Sequence, residues 1–507
     1  MSALRKEKRK VYARKIRMFW EEFRQNRIGF VGLTIILIYL IMGVAAPYLT
    51  PYRPDSPDYK PARLACRFAM PQWVTIFPQF ADLPPTIRMS LLDMDVINKT
   101  DSVKVQWQDG EPVFDFNISG RGTGEILLGL TLDYPYVHPK DFRVNILYSA
   151  EQVNSTTYTF EAILKNTTSN EQWESYLEDP TQAVIGYWTG SIPKKTGIGV
   201  QSAGEEIVMR RLFSWKYPNN PEKWLTLNTG RILFSKKSEY NLQLKITFKS
   251  RTPHKGSTCK IHLRREAVEG KSEFTIWGSV HGILGTNQFG YDVWTALIYG
   301  INISFLVGVL AAVISTTLGI TYGVTSGYLG GILDTMMMRT VDILLCLPVL
   351  PILLIMIQWF QPSVYYVVVL IAIFGWQGLS RIIRSRVLSL REMPFVESAR
   401  AAGGSSFYVM TKHIIPNVIP VAMASLILSV PGAILTEAAL SFLGFGDPRV
   451  ATWGRMLYRA QNEGAFPALA WWYIVPPGLA ITFLCVAFVF IGHALDQIVN
   501  PRLRRRR

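Results

Sequence analysis

Few side chains in this chain of 507 residues are placed to do chemistry. Of its six histidines, no two stand at a metal-ligand spacing such as His-x3-His. No Gly-x4-Gly-Lys-Ser/Thr loop is present to cradle a nucleotide phosphate, so the chain is not expected to hydrolyse ATP itself. No nucleophile–base set stands out, and no catalytic or metal-ligating residue is assigned. What remains is a chemistry of contact. Residues 397–403 read Glu-Ser-Ala-Arg-Ala-Ala-Gly, followed by Lys412-His413-Ile414-Ile415-Pro416-Asn417 and Pro420. Ala399, Ala401, Ala402, Gly403 and Gly404 give one slim surface, which lets another backbone approach closely. Glu397 near a helix start suits the positive end of the helix dipole. Pro416 and Pro420 stiffen the exit and set the angle of the next apolar segment. The bland reading is an amphipathic connector; the sharper one is a helix that lies in a groove of another protein.

The elements around this segment are membrane-like. Half the residues (49%) are hydrophobic, concentrated near 28–49 and after 298. A bilayer crossing needs about 20 apolar residues. Six segments qualify, at roughly 28–49, 299–324, 341–360, 363–382, 418–440 and 471–493. The first is too long for a signal-peptide core of about 7–15 residues, so an uncleaved span is expected.

The net charge of +16 is concentrated in short stretches beside these spans. Ten Lys and Arg lie in the first 27 residues, five Arg in the last six, and Arg381, Arg384, Arg386, Arg391, Arg400 and Lys412 around the slim segment. The positive-inside rule accounts for this placement and leaves nucleic acid an improbable partner. It also puts both termini and the loop 383–417 in the cytoplasm, and residues 50–280 outside it.

Residues 50–280 have soluble composition and strand-like alternation. Tyr240, Leu242, Leu244, Ile246 and Phe248 alternate with polar residues. Similar patterns occur at Val103-Val105-Trp107, Phe114-Phe116-Ile118 and Tyr158-Phe160-Ala162-Leu164. The expected fold is an all-α polytopic membrane domain of six helices with a β-rich, sandwich-like extracytoplasmic insert. Its parts are a basic N-terminus (1–27), a first span (28–49), the insert (50–280), a five-helix membrane domain (281–500) and a basic tail (501–507).

Cys66 and Cys259 bracket the insert; outside the cytoplasm they could form one disulfide or stay unpaired. Asn98, Asn117, Asn154 and Asn166 head Asn-X-Ser/Thr triplets, which matter only in a host that glycosylates. Glu437 lies in an apolar span, where an acid costs a few kcal/mol and marks either a pathway or gating residue or a helix–helix hydrogen bond. The second is favoured, since Gly444 and Gly446 place Glu437 near the end of its span. Arg339 and Asp342, three apart, should pair locally, and Asp334 reads as interfacial.

Glu397-Ser398-Ala399, Gly403 and Ile414-Ile415-Pro416-Asn417 together resemble the EAA loop of ABC-transporter permeases, with Ser398 where that family usually has Ala. His281-Gly282-Ile283-Leu284-Gly285-Thr286, Gly290 and Asp292 are similar to the entry signature of the dipeptide/oligopeptide (OppC/DppC-like) branch. Gly330-Gly331, Asp334, Met338-Arg339, Asp342 and Pro348 continue the match, as do 434–444, Trp453-Gly454, Pro477-Gly478-Leu479-Ala480 and Pro501-Arg502-Leu503. The chain departs from the pattern at Asn287, Tyr291, His493 and Asn500, and in its long insert.

The resemblance implies an importer subunit forming half of a translocation pathway for peptides, with nickel-chelate or oligosaccharide substrates as alternatives. Its partners would be a second homologous permease, one or two ABC ATPase subunits that hold the ATP and Mg, an extracytoplasmic substrate-binding protein and membrane lipid. This chain itself would bind no cofactor. Glu397, Ser398, Ala399, Ala402, Gly403 and Pro416 would form the ATPase-coupling contact, on a helix over 397–411. A membrane-anchored receptor using the insert is the competing reading, and five further spans and a docking loop count against it.

Overall fold

The computed structural model describes residues 20–57, 59–153, 156–166, 182–191, 197–204, 229–250, 256–267, 270–359 and 363–499. The basic residues before Trp20, the tail from 500 and Asn154 lie outside these. The chain divides into two compact units, residues 1–62 with 292–507, and residues 63–291.

The first unit is helical. Its elements are α1 (Arg27–Val44), α2 (Val293–Leu329), α3 (Gly331–Cys346), α4 (Val349–Trp359), α5 (Val364–Ile373), α6 (Gln377–Arg391), α7 (Pro394–Ala401), α8 (Ile415–Phe442), α9 (Trp453–Asn462) and α10 (Trp471–Val499). Four continuous stretches are long and apolar enough to cross a membrane, Arg27–Val44, Val293–Leu329, Ser406–Phe442 and Trp471–Ile498. Two bent pairs, α3–α4 and α5–α6, bring the total to six if each is one span.

Asn26 caps α1 by accepting from Gly29 N at 3.1 Å. Gly32 lets α1 approach α10: a Cβ there would stand 2.6 Å from Ala487 O. Asp292 caps α2, accepting from Thr295 N at 2.8 Å. Apolar packing around Val307, Ala311, Leu353, Ile357, Val367, Val368 and Leu440 joins α2, α4, α5 and α8.

The third expected span, 341–360, is not one straight helix. It breaks at Leu347, and α3 and α4 meet at 87°. Leu347 precedes Pro348, and the proline ring pushes its neighbour to extended backbone, here ψ 136. The fourth segment runs past its expected end at 382 to Arg391, with a bend of 41° before Gln377.

Among the described residues the second unit is two large antiparallel sheets around one core, plus a short antiparallel ladder of β12 (Glu266–Ala267) and β13 (Gly270–Lys271). One has the order β1 (Ile87–Ser90), β14 (Glu273–Trp277), β6 (Asp141–Val153), β11 (Ser257–Leu263), β4 (Glu111–Ile118), β3 (Val103–Gln108), with β9 (Gly197–Gly204) also paired to β6. The other is β2 (Asp95–Lys99), β5 (Gly122–Tyr134), β10 (Ser238–Ser250), β7 (Thr156–Asn166), β8 (Gln182–Ser191). Residues of both sheets, among them Phe114, Phe116, Phe160, Leu244, Phe248 and Ile261, form a single buried cluster, as a sandwich requires.

β10 pairs with β5 on one side and β7 on the other. Its apolar positions 240–248 face the core, and as a central strand it buries Gln243 and Thr247 as well. Trp107 departs from its pattern: it lies on an edge strand and is 60% exposed, while Val103 on the same strand is buried. Thr286 closes the base of this unit, accepting from Ala69 N at 2.9 Å and donating to Cys66 O at 2.8 Å. Asn287, one of the departures from the family pattern, accepts from Phe289 N and Tyr291 N.

Candidate coupling site

The slim segment does not form one helix over 397–411. α7 begins on Pro394, with Glu397 in its first turn, and stops at Ala401. The stop is a glycine turn: Gly403 adopts φ +82, and Gly404 N donates to Ala399 O at 3.0 Å. A Cβ on Gly404 would sit 2.7 Å from that same carbonyl. Ser405 then caps the short turn Ser406–Val409, accepting from Tyr408 N at 3.3 Å. A π-helical turn, Met410–Ile414, leads into α8.

Three fully buried side chains fix this path. Val396, Val409 and Ile414 pack with Val324 and Tyr328 of α2, Ile383, Val387 and Leu390 of α6, and Val418 and Ala422 of α8. Arg400 adds a polar tie: its Nε donates to Tyr328 Oη at 3.1 Å, and its guanidinium lies 4.7 Å from the centre of that ring. The opposite face stays open as a groove of about 940 Å³. Ser398, Ala399, Ala402, Gly403, Gly404 and Ser405 line it, together with the rings of Phe395, Tyr408 and His413. His413 lies 6.3 Å from Phe395 and 5.7 Å from Tyr408 between ring centres.

Four of the six expected contact residues, Ser398, Ala399, Ala402 and Gly403, therefore meet at one groove. Glu397 is exposed on α7 but does not line it. Pro416 is exposed in the first turn of α8, also off the groove. The aromatic members Phe395 and Tyr408 were not singled out from sequence. The spacing Phe395, Ser398/Ala399, Ala402 is that of one helix face and could have pointed to Phe395.

Glu437 is buried on α8 and accepts from Ser441 Oγ at 2.6 Å, one turn along its own helix. Thr452, the cap of α9, is beside it. Arg339 reaches Asp342 at 3.9 Å, and Arg381 of α6 also bonds Asp342. Asp334 is buried and takes two bonds from Arg384, each 2.6 Å.

A separate polar cluster gathers around α9. Arg459 bonds Asp55 and lies 4.0 Å from Glu463, which accepts from Tyr473 Oη at 3.5 Å. Burial pushes the Glu463 carboxyl up to about 7, against the pull of Arg459. Burial would also raise Asp447. There the Arg449 guanidinium and the backbone N–H groups of Arg449 and Val364 outweigh it and hold the carboxyl below its ordinary value.

The structure corrects the bridge option. Cys66 and Cys259 are free, buried thiols in different clusters. Cys66 packs with Ala65, Ala69 and Trp277, while Cys259 sits on β11 opposite Phe116 in the sandwich core. Among the described residues, no group of three His, Cys, Asp or Glu side chains is arranged to hold a metal ion.

A bundle with up to six apolar spans and an exposed small-residue turn between two of them is the build of a transport permease. The family model for the binding-protein-dependent transport system inner membrane component matches residues 317–505. That for the N-terminal TM domain of oligopeptide transport permease C matches residues 15–70. The dipeptide transport system permease protein DppC of Bacillus subtilis is 35% identical over 224 residues, covering 44% of this chain and 69% of that protein. A putative peptide transport system permease protein of Brucella suis is 34% identical over 223 residues (44% and 74%). A probable peptide ABC transporter permease protein of Sinorhizobium fredii is 38% identical over 224 residues (44% and 76%). The chain belongs to the binding-protein-dependent ABC permease family, in its OppC/DppC-like branch.

Proposed function

We propose that this chain forms half of the membrane pathway of a peptide importer and that the groove at 395–413 receives a separate ATPase subunit. The observation that carries the coupling role is the contrast between the two faces of the segment. One face is clamped by Val396, Val409, Ile414 and the Arg400–Tyr328 contact. The other offers small residues to something outside this chain. A segment held on one side and open on the other can pass a push from a docked partner into α2, α6 and α8.

In this reading ATP and Mg²⁺ belong to the ATPase subunits, and this chain binds no cofactor. A second homologous permease completes the pathway, and an extracytoplasmic binding protein delivers the peptide. The termini and the 394–417 segment face the cytoplasm, following the Lys and Arg placement, and the β-rich unit faces the other side. Peptide is favoured as substrate because the similar proteins carry that description. Glu397 and Pro416 set the start and exit of the docking segment, while Glu437 serves the packing of α8 near α9 rather than the pathway.

The test is cross-linking in the assembled transporter. Ser398→Cys and Ala402→Cys should each cross-link to the ATPase and become protected from water-soluble thiol reagents. Full labelling at both positions with no cross-link would overturn the docking assignment.

A further inference from the structure

α3 buries only two of its own side chains, Asp334 and Val341, among the described residues. Its apolar residues Ile332, Met336 and Ile343 are exposed. Apolar packing therefore does little to set where α3 lies against this chain, whereas charge does a great deal. The Asp334 carboxylate receives Arg384 Nε on Oδ1 and Arg384 Nη2 on Oδ2, each at 2.6 Å, and Ser326 Oγ of α2 donates to it as well. Two turns further along, Asp342 is bonded by Arg381 of α6. α6 thus holds α3 at two points, and α2 holds it at two as well, through Ser326 and through Tyr322, whose Oη donates to Met337 O at 3.3 Å.

The same two helices hold the docking segment. Ile383, Val387 and Leu390 of α6 pack on Val396, and Tyr328 of α2 carries Arg400. α3 in turn leads through Leu347 and Pro348 into α4, across the 87° bend. A two-pronged guanidinium–carboxylate bond fixes direction as well as distance. It keeps its geometry when a helix shifts, where a sliding apolar contact would not.

We propose that the Arg384–Asp334 fork, backed by Arg381–Asp342, is the positioning element that passes displacement of the 394–417 segment on to the α3–α4 elbow. None of these four residues lines the docking groove. The proposal rests on the coupling reading given above.

The test uses the reconstituted full transporter carrying Ser398→Cys as a docking reporter. Arg384→Gln, Asp334→Asn and Arg384→Lys are compared with the exchange Arg384→Asp/Asp334→Arg. The single variants should keep the cross-link and ATP hydrolysis while uptake per ATP hydrolysed falls roughly ten-fold. Arg384→Lys, which keeps the charge but not the fork, should fall between them and the unaltered chain. The exchange should recover most of the loss. Uptake per ATP within two-fold of the unaltered chain in both Arg384→Gln and Asp334→Asn would overturn the proposal. So would parallel loss of cross-link, hydrolysis and uptake that the exchange does not repair. Failure of Ser398→Cys to cross-link in the otherwise unaltered chain would instead remove the coupling reading itself.

Discussion

Gly403 separates the fold of the docking segment from its partner contact. It adopts φ +82, and nothing lies within 4 Å of where a Cβ would stand. Alanine there meets only the cost of left-handed backbone, about 1–2 kcal/mol. Tryptophan meets the same backbone cost, and its Cβ meets no described atom of this chain within 4 Å. Both variants should therefore unfold only a few degrees below the unaltered chain, given roughly 2–4 °C per kcal/mol for domains of 150–250 residues.

Their transport should differ. Gly403→Ala leaves the groove open, whereas Gly403→Trp puts an indole where a partner's backbone is meant to approach. Uptake in vesicles with the partner subunits should fall modestly for Ala and roughly ten-fold or more for Trp, a coupling loss above 1.4 kcal/mol. Thermal unfolding of the same preparations supplies the control. Equal uptake in Ala and Trp, or a much lower melting temperature for Trp alone, would refute the assignment of open space to a partner.

Glu463 gives a pH signature. Its carboxyl rises from the ordinary 4.5 to about 7 on burial. The folded chain therefore keeps a proton that the unfolded chain releases between those values. This group's contribution to stability is full at or below the lower value and is lost as pH rises through the upper one, by less than the roughly 3 kcal/mol of the whole shift because solvent screens a partly exposed carboxyl. Melting temperature should drop across that window and flatten in Glu463→Gln; an unchanged slope in the variant would count against it. Cys66 and Cys259 should resist thiol reagents in the native protein, since both are buried and Cys259 is pushed up to about 12. Both should react on denaturation without reductant. A peptide pair joined through these two cysteines under non-reducing conditions would contradict the structure.

The apolar spans and the strand alternation were readable because each depends on local periodicity. β10 shows the limit: Tyr240 to Phe248 point inward as their spacing says, but the burial of Gln243 and Thr247 follows from strands remote in sequence. Trp107 fails for the converse reason, since being on an edge strand is a property of the sheet and not of the alternation. The break at Leu347 was legible in principle from Pro348, yet the run of apolar residues across it reads as one span. At the groove, Ser398, Ala399, Ala402 and Gly403 announced themselves by size. Tyr408 did not, because the glycine turn at Gly403 and the π-helical turn after Val409 set its direction. Nor did the pairs Arg400–Tyr328 and Arg384–Asp334, whose partners stand 72 and 50 residues apart.

The length of α2 has a consequence for how such a chain tolerates change. At 1.5 Å per residue, its 37 residues extend about 55 Å, against a hydrocarbon layer of about 30 Å. Asp292 caps one end, and Ser326 and Tyr328 do their work near the other. Inserting a single residue midway would turn everything beyond it by about 100°, swinging Tyr328 away from Arg400 and Ser326 away from Asp334 together. Seven residues would restore the phase to within about 20° while adding about 10 Å. Length variation in this helix is thus quantised in near-whole turns, and a lineage can lengthen or shorten it only in steps that keep both ends in phase.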